Sequence, residues 1–304
     1  MALYGPVDRL DDAQAADVVT LASRAGLAIG HTPVGDEDWA RRSGSGDDGF
    51  GAAWATGADG KLVAYVQALR SPADPSWSAE LLIDADERSR TADLGAPLLS
   101  AVLRLVGQHG GGTVHLWAAG GGPAHAEVAA RAGLEPHRTL HQMSRPLPTG
   151  LHSSVPLRAF VVGQDEEQAL EVNRRAFADH PDQGGMTLAM LEERMAEPWF
   201  DPAGFLISEI DGRIAGFCWT KLFLGSDPLV GEIHVICVDP DFAGRRLGHE
   251  LVVAGLDHLA GRGATIGMLF VEGDNTAALA LYERLGFEIT RTDRSWTTTV
   301  ATST

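Results

Sequence analysis

Apolar and polar positions in the second half of the chain fall into a readable order of elements. VPLRAFV (155–161) predicts a strand, and the three-to-four spacing of apolar residues in QDEEQALEVNRRAFA predicts a helix over 164–178. A polar loop, HPDQGG (180–185), leads to a short helix over 187–196. ISEIDGRIAGFCWTKLFL (207–224) sets Asp211-Gly212 between two apolar runs, a β-hairpin signal. Strand 231–238, helix 246–260, strand 264–271, helix 275–285 and strand 287–298 follow. The order is β-α-α-β-β-β-α-β-α-β. The first half fits the same order, with helix 11–26, a hairpin over 50–69 around Ala58-Asp59-Gly60, strand 77–84 and a helix over Leu94–Val106. Such a mixture predicts an α/β (α+β) fold, with a mixed central sheet flanked by helices.

The two halves match in more than element order. WSAELLIDADERSR (77–90) and VGEIHVICVDPDFAGRR (230–246) both place an acidic residue at the head of an apolar run, then Asp-containing turn residues, then arginines. RAGLEPHR (131–138) and RLGFEITR (284–291) form a second matching pair. Glu80 and Glu232 are 152 positions apart, and Gly133 and Gly286 are 153 apart. Two markers recurring at nearly one offset indicate a tandem duplication. The segment RPLPTGLHSSVP (145–156), rich in proline, glycine and serine, reads as the linker. The expected domains are 1–148 and 153–304.

Composition adds exclusions. The 304 residues carry 24 Lys+Arg against 41 Asp+Glu, a net charge of −17, the wrong sign for wrapping a nucleic-acid backbone. That balance suits a small neutral or cationic molecule. Apolar stretches stop short of the ~18 residues of a membrane span, and the acidic start MALYGPVDRLDD has no signal-peptide core. Two cysteines, Cys218 and Cys237, form no disulfide framework, so a cytoplasmic protein is expected. The 11 histidines have no metal-ligand spacing, and no metal is expected.

The chemistry concentrates in HVICVDPDFAGRRLGHEL (234–251), a strand, a turn and a helix start. First-turn N–H groups of a helix lack intrahelical partners and favour a phosphate or pyrophosphate. In NTAALALYERLGFE (275–288), Asn275 is placed as N-cap, Tyr282 lies on the helix, and Gly286 ends it. These two stretches resemble the GCN5-related N-acetyltransferase (GNAT) family. Its V-x-P-x-x-[QR]-x-x-G-x-[GA] signature corresponds to Val238-Asp239-Pro240 through Gly248. Its N-x-x-A-x-x-x-Y-x-x-x-G-F signature corresponds to Asn275, Ala278, Tyr282, Gly286 and Phe287.

The resemblance implies two tandem GNAT domains and acetyl-CoA as the acetyl donor. By the same resemblance Glu232 is the base and Tyr282 the proton donor to the departing thiolate. An ordinary carboxylate is a weak base for an amine, so burial or a relaying water would have to help Glu232. Ile236, Cys237 and Val238 would pair with the pantetheine arm, with a strand N–H at Val238 meeting the acetyl oxygen. The turn Ala243, Gly244, Arg245, Arg246, Leu247, Gly248 and His249 would hold the pyrophosphate. Asn275, Thr276, Ala277, Ala278, Leu279 and Ala280 would line the adenosine and thiol side.

With PVGD (33–36), FADHPDQGG (177–185), PWFDP (198–202), WTK (219–221), GEIHVICVDP (231–240) and FVEGDNTAA (270–278), the chain is similar to a tandem branch of the family. That branch acetylates the α-amine of a cysteinyl glucosamine–inositol, and Asp36, Asp182, Lys221, Glu232 and Phe270 match its substrate positions. Phe270 stands where a tyrosine is more usual, which removes one hydrogen bond.

Other departures are specific. Ala243 replaces the Gln/Arg, and Arg246 occupies the first glycine position. A non-glycine residue at φ > 0 costs about 1–2 kcal/mol, which an arginine near a diphosphate can regain through a charge-assisted bond. SRTADLG (89–95) in the first half lacks the glycine pattern, and no tyrosine there matches Tyr282. The first domain is therefore expected to be degenerate and non-catalytic, with cofactor binding along Leu81, Leu82 and Ile83 left open. His234 reads as a packed or exposed strand histidine, and Cys237 as a small strand residue. A monomer is expected, because a tandem pair can bury the surface that single domains use to dimerise. The alternatives are acetylation of another amine (a peptide N-terminus, a polyamine or an antibiotic) and a degenerate acyl-CoA-binding module.

Overall fold

A computed structural model describes residues 2–29, 49–70, 76–178 and 184–303. It divides into two compact units, Met1–Leu140 with Arg291–Thr304, and His141–Thr290. The expectation of one cut near residue 150 thus differs from the contact pattern, in which the chain crosses between units twice.

Unit 1 contains β1 (Ala2–Val7), α1 (Asp12–Ile29), β2 (Phe50–Thr56), β3 (Leu62–Arg70) and β4 (Ser76–Ile83), then α2 (Thr91–Gln108), β5 (Gly112–Ala118) and α3 (Pro123–Arg131). Strand β6 (Glu135–Pro146) starts in this unit, and β12 (Glu288–Val300) ends in it. The sheet order is β1-β2-β3-β4-β5-β12. β4 and β5 are parallel, whereas β1–β2, β2–β3, β3–β4 and β5–β12 are antiparallel. One face packs Leu94, Leu98, Leu99, Val102 and Val106 of α2, and the other packs Val18, Leu21 and Ala22 of α1.

Unit 2 holds β7 (Arg158–Ala159), α4 (Glu166–Ala176), α5 (Leu188–Met195), β8 (Phe205–Ile210), β9 (Arg213–Leu222), β10 (Val230–Val238), α6 (Leu247–Gly261), β11 (Ile266–Glu272) and α7 (Thr276–Arg284). The order is β6-β11-β10-β9-β8-β7. β9 reads apolar along its length because helices cover both its faces. Phe217 and Trp219 join the α4–α5 cluster, while Ala215 and Cys218 join the α6–α7 cluster. The hairpin turn is Asp211-Gly212 with φ 53 and 74, the two positive values a type I′ turn requires. The strand expected over 155–161 shrinks to Arg158–Ala159. Asp165 ends it by accepting from the Val161 N–H at 2.7 Å while gripping the Arg158 guanidinium at 2.7 and 2.9 Å.

The duplication is visible in backbone detail. Gly133 and Gly286 sit at φ 80 and 79 after equivalent helices. Leu134 N–H donates to Ala129 O at 2.9 Å, and Phe287 N–H donates to Tyr282 O at 3.0 Å, the same helix-ending bond in each unit. The last strands are exchanged. Residues 141–146 of β6 complete the second unit's sheet beside β11, and residues 291–300 of β12 complete the first unit's sheet beside β5. Trp296, opposite Leu116 and buried in the α2 cluster, anchors that exchange. Trp296→Ala should cost about 3–5 kcal/mol. Urea denaturation should report the loss, and amide exchange should place it in β5; exchange unchanged in β5 would refute this anchoring role.

Candidate active site

β10 and β11 run parallel and paired only from Val230↔Ile266 to Ile233↔Leu269. β10 then continues to Val238 and β11 to Glu272 with no further pairing between them. On its other side β10 stays paired with β9 as far as Val238↔Gly216. Asp239 N–H donates to Ala215 O at 2.9 Å, toward β9. By strand alternation the N–H groups of Val238 and Ile236 turn the opposite way, into the gap where the strands part.

The charged and aromatic side chains gather at the closed end of this gap. Glu232 is buried, opposite Lys221 on β9 and Met268 on β11. Ile233 pairs with Thr220 and Val235 with Trp219, so His234 is the extra residue of a bulge. The bulge keeps its ring on the side of Glu232, with Nδ1 3.5 Å from Oε1. Trp199 and Trp219 stand 5.1 and 5.3 Å from the imidazole at 69° and 86°. The Lys221 ammonium lies 4.7 Å over Trp199 and 5.2 Å over Phe223, a cation–π arrangement.

Tyr282, on α7, is buried with its ring edge-on to Phe287 at 5.8 Å. Burial pushes its hydroxyl pKa up to about 12, so the group keeps its proton throughout the neutral range. Asn275 caps α7 as expected, its side chain accepting from Ala278 N–H at 3.1 Å. Thr276, Ala277, Ala278, Leu279 and Ala280 form the first turns of that helix.

The turn between β10 and α6 is held from outside. Asp239 accepts from Asp241 N–H at 2.8 Å, and Arg175 and Arg213 reach Asp241 at 2.8 and 2.9 Å. The Arg213 and Arg245 guanidiniums lie 5.2 and 5.4 Å from the Phe242 ring. Ala243 is extended, Gly244 has φ 77, and Arg246 has φ 59 at the N-cap of α6. The left-handed arginine expected from the sequence is therefore present. Leu247, Gly248 and His249 supply the first-turn N–H groups. A Cβ on Gly248 would meet nothing nearer than 3.9 Å, so packing does not demand glycine there.

Phe270 lies just beyond the last paired residue of β11 and is 37% exposed. The Cys237 side chain packs into the α4–α5 cluster, and burial drives its thiol pKa far up, removing thiolate chemistry. Asp36 and Asp182, with PVGD and most of HPDQGG, lie outside the described residues. Trp199, Trp219 and Phe223 stand at the site without a signal of their own in the sequence. PWF and WTK are legible in the chain, and residues 232 and 234 share strand parity, but the approach of Trp199 to His234 is set by tertiary packing.

Unit 1 repeats the frame with different groups. The β4–β5 pairing ends at Glu80↔Trp117, leaving Leu81, Leu82 and Ile83 beyond it. Opposite Glu80, where unit 2 has Lys221, stands Gln67, whose amide donates to the carboxylate at 2.9 Å. Tyr65 donates in turn to Gln67 at 3.0 Å. At the place of Tyr282, defined by the helix-ending bond, unit 1 has Ala129.

Known proteins share this fold. Residues 172–287 match the family described as "Acetyltransferase (GNAT) family". A GCN5-related N-acetyltransferase from Sphaerobacter thermophilus shares the fold at TM-score 0.72 and 20% identity, covering 99% of this chain and 96% of that one. A tandem GNAT protein from the clavulanic acid biosynthesis pathway does so at TM-score 0.69 and 16% identity over the whole of both chains. Fold and site thus define a tandem GNAT acetyltransferase. "Mycothiol acetyltransferase" from Rhodococcus opacus is 40% identical over 94% of this chain and 95% of its own length. The protein of that name from Thermobispora bispora is 44% identical over 89% and 91%. The chain belongs to the mycothiol acetyltransferase family of GNAT acyltransferases. Among the described residues no helix is long and apolar enough to cross a membrane.

Burial raises the Glu80 pKa, with the Gln67 amide pulling partly the other way. A folded pKa above the unfolded one gives stability that is complete below the unfolded value and lost as pH rises through the folded one. Glu80→Gln, which cannot ionise, should gain stability relative to the parent between about pH 4 and pH 8. Urea midpoints at the two pH values measure this, and a pH-independent difference would contradict it.

Proposed function

We propose that this chain transfers the acetyl group of acetyl-CoA to the cysteinyl amine of desacetylmycothiol, the cysteinyl glucosamine–inositol, giving mycothiol and CoA in the cytoplasm. The observation that carries the reading is identity near 40% to mycothiol acetyltransferases over 94% of the chain, spanning both units. The second unit is the catalytic one. In the first, Ala129 stands in place of the tyrosine, and Gln67 engages Glu80, leaving a frame without the acid.

The residues present suit acetyl-CoA. The N–H groups of Ile236 and Val238 face the gap, in reach of an extended amide-bearing arm. The open space at Gly248, the free first-turn N–H groups of α6 and the exposed Arg245 and Arg246 suit a diphosphate. The thioester supplies an acyl group activated for transfer to an amine. An α-amino group, with pKa near ~7.7–8.0, is largely ammonium at neutral pH and has to lose a proton. Glu232 receives that proton. Tyr282, kept neutral by burial, hands its proton to the departing thiolate. Lys221, Trp199 and Phe223 border the acceptor side, together with Phe270 at the mouth of the gap.

The test is turnover on desacetylmycothiol against a panel of peptide N-termini, polyamines and aminoglycosides. Preference for another amine would overturn the acceptor, and acetyl-CoA binding without any turnover would leave a binding module. Glu232→Gln and Tyr282→Phe should each lower kcat by about 10²-fold with little change in KM for acetyl-CoA; rates equal to the parent would refute the roles. Arg246→Gly relieves the left-handed arginine, so it should raise stability by up to about 1 kcal/mol. The same change should raise KM for acetyl-CoA several-fold, as steady-state kinetics would measure; an unchanged KM would remove Arg246 from the diphosphate site.

A further inference from the structure

The imidazole of His234 is placed unlike an ordinary packed histidine. Both its ring nitrogens are shielded from solvent and have no hydrogen-bond partner among the described residues. Burying polar atoms this way is unfavourable unless something is gained. The polar group standing nearest is the Glu232 carboxylate, 3.5 Å from Nδ1 and just beyond hydrogen-bond length. The ring cannot swing away freely, because Trp199 and Trp219 stand across it from two directions. The backbone bulge at His234 exists only in β10; the β3–β4 and β4–β5 pairings of unit 1 run without a shift around Glu80. The duplication therefore preserved the carboxylate in both copies and the histidine bulge in the copy that holds Tyr282.

We propose that His234 is a positioning residue that holds Glu232 and takes over the proton Glu232 receives. This rests on the amine-acetylation reading above. An N–H bond of the substrate ammonium breaks, and its proton passes to the Glu232 carboxylate, leaving the neutral amine. The carboxylic acid then passes that proton to Nδ1 of His234, which restores the carboxylate and leaves an imidazolium; once the product has left, the proton returns through the Glu232 carboxylate to water entering the gap. No electrons change hands, and charge balances at each transfer. An imidazole exchanges protons near neutral pH, which matches the acidity of an α-ammonium better than a carboxylate does. The titratable groups around the ring are Glu232 on its own strand and Lys221 from β9, whose ammonium sits over Trp199. The segment before β8 contributes Trp199, and its Glu197 is exposed. Lys221 is kept over the aromatic rings, which leaves the carboxylate to the imidazole.

Two variants separate a proton carrier from a filler. His234→Gln preserves polarity and His234→Phe preserves ring packing. Both should lower kcat about 10-fold at neutral pH, with KM for either substrate within about twofold of the parent. Both should also flatten the acid limb of the kcat profile between about pH 6 and 8. In a Glu232→Gln background the same changes should add less than about twofold, because the two residues act as a unit. A parental pH profile in His234→Phe would overturn the proposal. The second readout needs no turnover. In ¹⁵N-histidine NMR at one neutral pH, the resonances lost in His234→Gln identify the ring, and Glu232→Gln should move its Nδ1 resonance more than its Nε2 resonance, since Nδ1 is the atom beside the carboxylate. Unmoved ring resonances would overturn the pairing. If no amine were acetylated, the proposed reaction would fail while the ring resonances still decided the pair.

Discussion

The parting of two parallel strands governs the rest of the molecule. Beyond Ile233↔Leu269, β10 keeps its partner on one side only, and its backbone polar groups on the other side face the gap. Backbone N–H and C=O groups demand partners, so an interrupted ladder is an invitation to an extended amide-bearing ligand. The gap sets where everything else must stand. Glu232 sits at its closed end, α6 presents its free N–H groups beyond β10, and α7, following β11, carries Tyr282.

Keeping that gap open requires rigid surroundings. Helices bury both faces of β9 and β10, and the turn after β10 is pinned by Arg175 and Arg213 on Asp239 and Asp241. These ion pairs are partly exposed, so their worth lies in orienting the turn more than in stability. The loop before β7 is tied down as well, through Ser154 and Ser153 on Glu250 of α6. The left-handed Arg246 fits the same logic. A strained residue persists where its surroundings dictate the backbone, and here it places a cation at the start of a helix.

Duplication supplied two such frames, and they have diverged in side chains more than in backbone. Gly133 and Gly286 retain almost identical φ, and the helix-ending bonds match. Yet Ala129 replaces the tyrosine, and Gln67 stands where unit 2 has Lys221, converting an acidic position into part of a hydrogen-bonded Tyr65–Gln67–Glu80 chain. A fold depends on many small apolar contacts and tolerates such exchanges, whereas the chemistry depends on a few groups at short range.

The sequence by itself determined the elements, the duplication and the family. Those follow from local periodicity, from Asp211-Gly212 and Asn275, and from glycines such as Gly286, whose conformations are dictated by near neighbours in the chain. It also put Glu232, Tyr282 and Arg246 on the correct elements. Tertiary structure decided what distant segments do together. Strand exchange carried residues 291–304 into the first unit, because the edge of β5 and the α2 cluster needed Trp296. A single-residue bulge left His234 unpaired beside Glu232, and a loop thirty-five residues away brought Trp199 against it. Pairing register and burial are properties of the whole sheet, and a one-residue shift in register is invisible in the local pattern that predicts the strand.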